Sequence, residues 1–266
     1  MCELLGMSFN LPVRPNISFR GFRYSGGKNP HGWGLAYYPD EAPQVIKEPK
    51  HSMKSSLSAF LQNYEGVKSR IFIAHVRTSS IGEESYKNTH PFFRELNGKG
   101  YVFAHNGTIE RYDYLELGRF KPLGDTDSEY IFCHLLECIR KEGVSTWKED
   151  SFEWLSRKLS EINDYGTLNC LFSDGKFLFC YHDKSGYASL CFVHRKAPYE
   201  KIQLVDDDWC IDLSMEKRPE QEGYIIATRP LTYEQWEKFE KGELIVFHNG
   251  KMIYSNNRDI ANKVFR

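Results

Sequence analysis

A chain of 266 residues can bury a sizeable core as one large domain or two small ones, and its 41% hydrophobic and 27% charged content is that of a soluble globular protein. The formal net charge of −1 gives no electrostatic footing for nucleic acid or an anionic membrane. No apolar run is long enough to cross a bilayer, and no basic segment followed by an apolar one marks a signal peptide at the N-terminus. Seven cysteines, an odd number, then read as reduced thiols of a cytoplasmic protein.

In chain order, the first feature is Met1-Cys2-Glu3-Leu4-Leu5-Gly6. Removal of the initiator Met, which a small second residue permits, would leave a thiol and a free α-amine on Cys2. That places a nucleophile and a general base on one residue. Gly26-Gly27 and His31-Gly32-Trp33-Gly34 suit either a substrate-facing loop or close backbone packing. Strand-like runs follow at Gly34–Tyr38, Ile71–Val76, Gly100–Ala104, Leu168–Ser173, Phe177–Tyr181, Ser189–Val193, Tyr224–Thr228 and Leu244–Phe247. Asp174-Gly175 and Asn249-Gly250 suit hairpin turns. Apolar residues recur at helical spacing in Ser55–Asn63, Ser128–Lys141 and Phe152–Ile162. Helices among hairpin-connected strands predict an α+β fold with mostly antiparallel sheet. No repeat or linker divides residues 1–266, so a single domain is expected.

Four motifs carry chemistry. His75-Val76-Arg77-Thr78-Ser79-Ser80 follows a strand; Arg77 there is either a solvated or ion-paired charge, or a guanidinium fork for a substrate carboxylate. Asn88-Thr89-His90-Pro91 offers His90 as a pocket residue or a turn cap. His105-Asn106-Gly107 is by itself a turn signal, yet the Asn106 amide and Gly107 N–H would also suit an oxyanion. The tripeptide recurs as His248-Asn249-Gly250 between two strand-like runs, where a hairpin accounts for it. Gly124-Asp125-Thr126-Asp127-Ser128-Glu129 reads as a helix cap, with Asp127 alternatively at a pocket edge to meet an ammonium. Cys133 and Cys138 diverge on a helix, and no metal set is expected; nor is any cofactor.

Taken in order, Met1-Cys2, the Arg77 motif, Thr89-His90-Pro91, Ala104-His105-Asn106-Gly107 and Asp125-Thr126-Asp127-Ser128-Glu129 resemble the class II glutamine amidotransferases. The chain is most similar to the stand-alone bacterial type, which shares Met-Cys-Glu-Leu-Leu-Gly-Met and stretches like Leu171–Gly175 and Ile226–Thr232. The resemblance implies a four-layer αββα N-terminal-nucleophile hydrolase fold with two mostly antiparallel sheets. It implies Cys2 as nucleophile with its own α-amine as base, and Asn106 and Gly107 as the oxyanion hole. Arg77 would take the glutamine α-carboxylate and Asp127 the α-amino group.

Members fused to synthases carry a bulky residue after the Arg and a Thr three positions after it; here these are Thr78 and Ser80, and Ser80 can still donate a hydroxyl to the carboxylate. No synthase domain is expected within the chain. The reading is therefore hydrolysis of a γ-glutamyl amide through a Cys2 thioester, giving glutamate and ammonia or an amine. The alternatives are an amidotransferase subunit with an ammonia-accepting partner enzyme, a hydrolase of a larger γ-glutamyl compound, and a catalytically silent glutamine-binding module.

Overall fold

The computed structural model describes residues 2–25, 30–78 and 82–260. Two antiparallel sheets dominate it. The first runs edge to edge as β13 (Glu237–Lys238), β9 (Cys191–Arg195), β12 (Gly223–Ala227), β1 (Glu3–Val13), β4 (Ser69–Val76), β2 (Trp33–Tyr37) and β3 (Gln44–Glu48). The second runs as β15 (Lys251–Ser255), β14 (Leu244–His248), β8 (Phe177–Tyr181), β7 (Gly166–Ser173), β6 (Lys99–Ile109) and β5 (Phe92–Leu96). A small ribbon of β10 (Lys201–Gln203) and β11 (Cys210–Asp212) stands apart.

Side-chain alternation makes these sheets into layers, because successive residues of a strand face opposite ways. In the first sheet, Leu5, Met7, Phe72 and Ala74 pack with Phe19 and Phe22 of α1 (Asn16–Ser25) and Leu61 of α2 (Ser56–Asn63). The residues between them, Leu4, Ile71 and Ile73, instead join Val102, Ala104, Leu171, Leu178 and Ile245 of the second sheet. That sheet's other face, with Phe103, Phe172 and Phe179, is covered by Ile131, Phe132 and Leu135 of α3 (Asp127–Glu142) and Phe152 and Leu155 of α4 (Glu149–Ile162). The order of layers is αββα, as expected.

The strand anticipated at Ser189–Val193 lies two residues later, at Cys191–Arg195. The long central strand β1, together with α1, β3 and β5, was not anticipated. In β1 the face toward the second sheet follows Leu4 with Gly6 and Ser8, which weakens the alternation. Gly6 is needed there, since a Cβ would stand 3.1 Å from Leu171 Cδ1 and 3.3 Å from Leu178 Cδ2.

Gly34 of β2 marks a closer approach. A Cβ on it would lie 2.2 Å from the His90 carbonyl and 2.8 Å from Pro91 Cδ. The segment leading into β5, with its cis His90–Pro91 bond, thus lies directly on the first sheet. Gly34→Ala is expected to destabilise the protein by about 1–3 kcal/mol, the usual cost of overpacking. Urea unfolding measures it; an unchanged midpoint would contradict this contact.

Candidate active site

The site begins with strand register. β1 and β4 pair antiparallel with Leu4 opposite His75 and Glu3 opposite Val76. Cys2, just before β1, therefore meets the residues leaving β4. The Thr78 N–H donates to Cys2 Sγ and the thiol donates back to the Thr78 carbonyl, both at 3.2 Å. The half-buried Cys2 continues the parity of Leu4, which faces the second sheet. Burial pushes its thiol pKa up; the Thr78 hydrogen bond and the Arg77 charge oppose this, and Asp127 adds to it. Burial thus favours the thiol over the thiolate.

Arg77 is not a solvated charge. It is 3% exposed, and its guanidinium donates to the carbonyls of Glu83 and Gly82, each at 3.2 Å. Burial lowers its pKa, while Cys2, Glu84 and Asp127 raise it, so these groups share one electrostatic environment. Its backbone pairs with the His31 segment, His31 N–H to Arg77 O at 3.1 Å and Arg77 N–H to Gly32 O at 2.8 Å. Of the two readings of His31–Gly34, close backbone packing is the observed one. Gly26, Gly27 and Ser80 lie outside the described residues.

The first His-Asn-Gly is not a turn but lies within β6, and the same alternation governs it. Val102 and Ala104 face the first sheet, and Asn106 shares their parity. The Asn106 side chain is buried, and its Nδ2 has no hydrogen-bond partner among the described residues. Its carbonyl accepts from Asn169 Nδ2 at 3.3 Å; that same amide donates to the Tyr187 carbonyl at 2.7 Å. Gly107 is sterically required, for a Cβ would lie 2.1 Å from the Thr167 carbonyl and 2.6 Å from His105 Nε2. The second copy is a hairpin turn: Asn249 and Gly250 have φ of 53° and 75°, and His248 pairs with Lys251.

The capping question at Asp127 has a clear answer. Thr126 is the N-cap of α3, its Oγ1 accepting from the Glu129 N–H at 3.2 Å. The Asp127 side chain does not cap the helix; it accepts from the Ile109 N–H at 2.8 Å, which ties α3 to the end of β6.

Beside this site lie three buried histidines. His105 accepts from or donates to Ser128 Oγ at 2.9 Å and meets the Thr167 carbonyl at 3.1 Å, so Nε2 carries the proton and Nδ1 accepts. His90 is 4% exposed, its ring lying between His75, at 4.1 Å, and Phe92, at 4.5 Å, tilted against both. The ring nitrogens of His75 and His90 find no hydrogen-bond partner among the described residues. Burial holds all three imidazoles neutral, His75 down to about 3 and His90 well below the usual range. Asn169 and the Tyr187 segment were not anticipated, because their link to Asn106 is a tertiary contact with no local signature. The phenol of the partly exposed Tyr187 is also pushed up, by burial first and by proximity to Cys2 second.

The family model for class II glutamine amidotransferases matches residues 1–265. The chain belongs to that family. An uncharacterized protein of Methanocaldococcus jannaschii is 49% identical across 100% of this chain and 75% of its own length. YafJ of Escherichia coli K12 is 37% identical over 95% of this chain and 100% of that one. A solved structure from Pseudomonas aeruginosa PA01, described as a predicted glutamine amidotransferase, is 28% identical with a TM-score of 0.71, covering 95% of this chain and 100% of that one. The glutamine phosphoribosylpyrophosphate amidotransferase of B. subtilis shares the fold, with 18% identity and a TM-score of 0.66 over 96% of this chain and 49% of that one. The two sheets and their helices form the N-terminal-nucleophile fold of these enzymes. No helix among the described residues is long and apolar enough to cross a membrane.

The buried imidazoles generate a pH dependence. Each has a folded pKa below its unfolded value of about 6.5, so the unfolded chain binds more protons as pH falls below 6.5. Stability is therefore retained above that pH and lost on acidification, by about 1 kcal/mol for each of His75 and His90 between pH 7 and pH 5.5. Urea unfolding at the two values should show a loss of about 2 kcal/mol from His75 and His90 together, with His105 adding to it in the same direction. Equal stability at both would mean that these rings are protonated in the folded protein.

Proposed function

We propose that this protein hydrolyses the γ-amide of glutamine through a thioester on Cys2. The observation that carries the reading is the clasp of Cys2 Sγ by the Thr78 backbone, both hydrogen bonds at 3.2 Å, next in the chain to the buried Arg77 and within electrostatic reach of the buried Asp127. Asn106, whose partnerless amide shares the parity of the inter-layer residues Val102 and Ala104, supplies the remaining element.

In this mechanism the α-amine of Cys2, freed by removal of Met1, takes the thiol proton through a water molecule. The sulfur adds to the γ-carbonyl carbon, and the electron pair moves onto the carbonyl oxygen, stabilised by Asn106 Nδ2 and the Gly107 N–H. Collapse breaks the C–N bond, and the protonated leaving group departs as ammonia. Water then adds to the thioester, and a second collapse releases glutamate and returns the thiol. Arg77 holds the α-carboxylate and Asp127 the α-ammonium, with Ser80 offering a further hydroxyl. The buried His90, packed against His75, lines the same region. A larger γ-glutamyl compound would use the same residues, the leaving group alone differing. Ammonia released here would be free or would pass to an accepting enzyme.

Cys2→Ala should abolish glutamate release while leaving the melting transition intact, because nucleophile and base belong to one residue. Turnover above about 1% of wild type would remove Cys2 from the role. An uncleaved N-terminal tag should have the same effect, and cleavage that exposes Cys2 should restore turnover; a C-terminal tag should be neutral. Full activity with a blocked N-terminus would show that another group is the base.

Arg77→Lys should raise KM more than it lowers kcat, since the carboxylate is gripped alike in ground and transition states. Asn106→Ala should instead lower kcat by about 10²- to 10³-fold, the loss of one oxyanion donor. Steady-state kinetics on glutamine test the pair, and identical kinetic patterns would refute the division of roles.

A further inference from the structure

We infer that Asn88 is a positioning residue that fixes the spacing between Arg77 and Asp127, and so governs affinity for the amino-acid end of the substrate. The inference rests on the functional reading above. Arg77 and Asp127 arrive by separate routes, one at the end of β4 and the other in the first turn of α3 on the far side of the sandwich. Among the described residues, no backbone ladder joins the segments that hold them. Yet the α-carboxylate and α-ammonium of a glutamyl group hang from one carbon, so their receptors must keep a fixed separation.

One side chain spans the gap. Asn88 is fully buried, and its Nδ2 donates at 3.2 Å to the Glu83 carbonyl, the same oxygen that accepts from Arg77 Nη1 at 3.2 Å. Its Oδ1 accepts at 2.9 Å from the N–H of Asp125, two residues before Asp127. The amide thus holds the loop that Arg77 grips with one end and the approach to the Asp127 helix with the other. The slot it fills is shaped for it. A Cβ on Gly82 would lie 2.9 Å from Asn88 Nδ2, and one on Gly124 would lie 2.2 Å from Asn88 Oδ1.

The parallel link between these segments is weak by comparison. Lys87 and Asp125 pair at 2.8 Å, but their side chains are 42% and 60% exposed, where solvent screens the charges. Asn88 combines burial with a donor on one side and an acceptor on the other. Asparagine is suited to this where aspartate is not, because a carboxylate would set an oxygen against the Glu83 carbonyl. Asn88 touches neither the thiol nor the oxyanion donor in the structure, so its effect should fall on binding and spare the chemical step.

The test compares wild type with Asn88→Ala, and with Val246→Ala as a control of comparable melting temperature loss, Val246 being buried in the helix-covered core. Asn88→Ala should raise KM for glutamine by about 10- to 100-fold and leave kcat within about threefold. Labelling of Cys2 by a diazo-ketone analogue of glutamine, followed by peptide mass so that the exposed Cys210 does not interfere, should slow by the same factor. Labelling of Cys2 by iodoacetamide, which has no amino-acid end, should be unchanged. Asn88→Asp serves the same readouts if the alanine variant does not fold. The inference is overturned if KM and diazo-ketone labelling match wild type. It is equally overturned if Val246→Ala raises KM as much, or if iodoacetamide labelling falls in parallel. Failure of the diazo-ketone to label wild-type Cys2 would overturn the functional reading itself, and this inference with it.

Discussion

The antiparallel register of β1 between β4 and β12 is the constraint on which the rest of the structure depends. Strand pairing in steps of one residue allows no compromise, because a slip of one would turn every side chain to the opposite face. Leu5, Met7 and Phe9 are buried against the α1 and α2 layer, and Leu4 against the second sheet, so a slipped β1 would exchange its large and small faces. Gly6, which admits Leu171 and Leu178, would be replaced at that contact by a large neighbour. Further anchors hold the start of the strand. Glu3 accepts from Thr228 Oγ1 at 3.3 Å and from Arg229 Nε at 3.1 Å. The two sulfur hydrogen bonds to Thr78 are the last rung of this arrangement.

Face parity then determines what can meet. The inward positions of the first sheet run from Ile71 and Ile73 through His75 to Arg77, and those of the second from Val102 and Ala104 to Asn106. Apolar residues fill the middle of each series and polar ones its end, so the inter-layer core passes without interruption into the site. The surroundings there are polar but hold little mobile charge, since the imidazoles beside it are neutral. In such a setting the fields of Arg77 and Asp127 are less screened than they would be in water. Burial likewise raises the pKa of the Cys2 thiol.

Much of this was legible in the sequence, because strands rich in Ile, Val and Phe announce themselves and the motifs stand in a recognisable order. The failures have physical causes. β1 was missed because its inward face needs small residues at Gly6 and Ser8, which read as weak strand formers. The two His-Asn-Gly copies are locally indistinguishable, and what separates them is tertiary: one is paired along β7, the other turns back on itself between β14 and β15. In Asp125-Thr126-Asp127 either kind of residue could have capped the helix; Thr126 does so, which leaves the Asp127 carboxylate to bind Ile109. The roles of Asn88 and Asn169 carried no local signal, since Asn88 reaches Asp125 across 37 positions and Asn169 reaches Asn106 across 63.

The position of β1 also bears on how the protein comes into being at the ribosome. One neighbour, β4, is made early, but the other, β12, comprises residues 223–227 of 266, and Glu3 reaches its partner Thr228 across 225 positions of sequence. Closing loops of that size is slow, and such contacts form late. Through most of synthesis the first strand has an open edge and an unfinished sheet. The cysteine at its head is then an ordinary unburied thiol, with neither its clasp nor its facing amide in place. The surroundings of Cys2 are thus a property of the completed sheet, assembled across 225 positions of sequence.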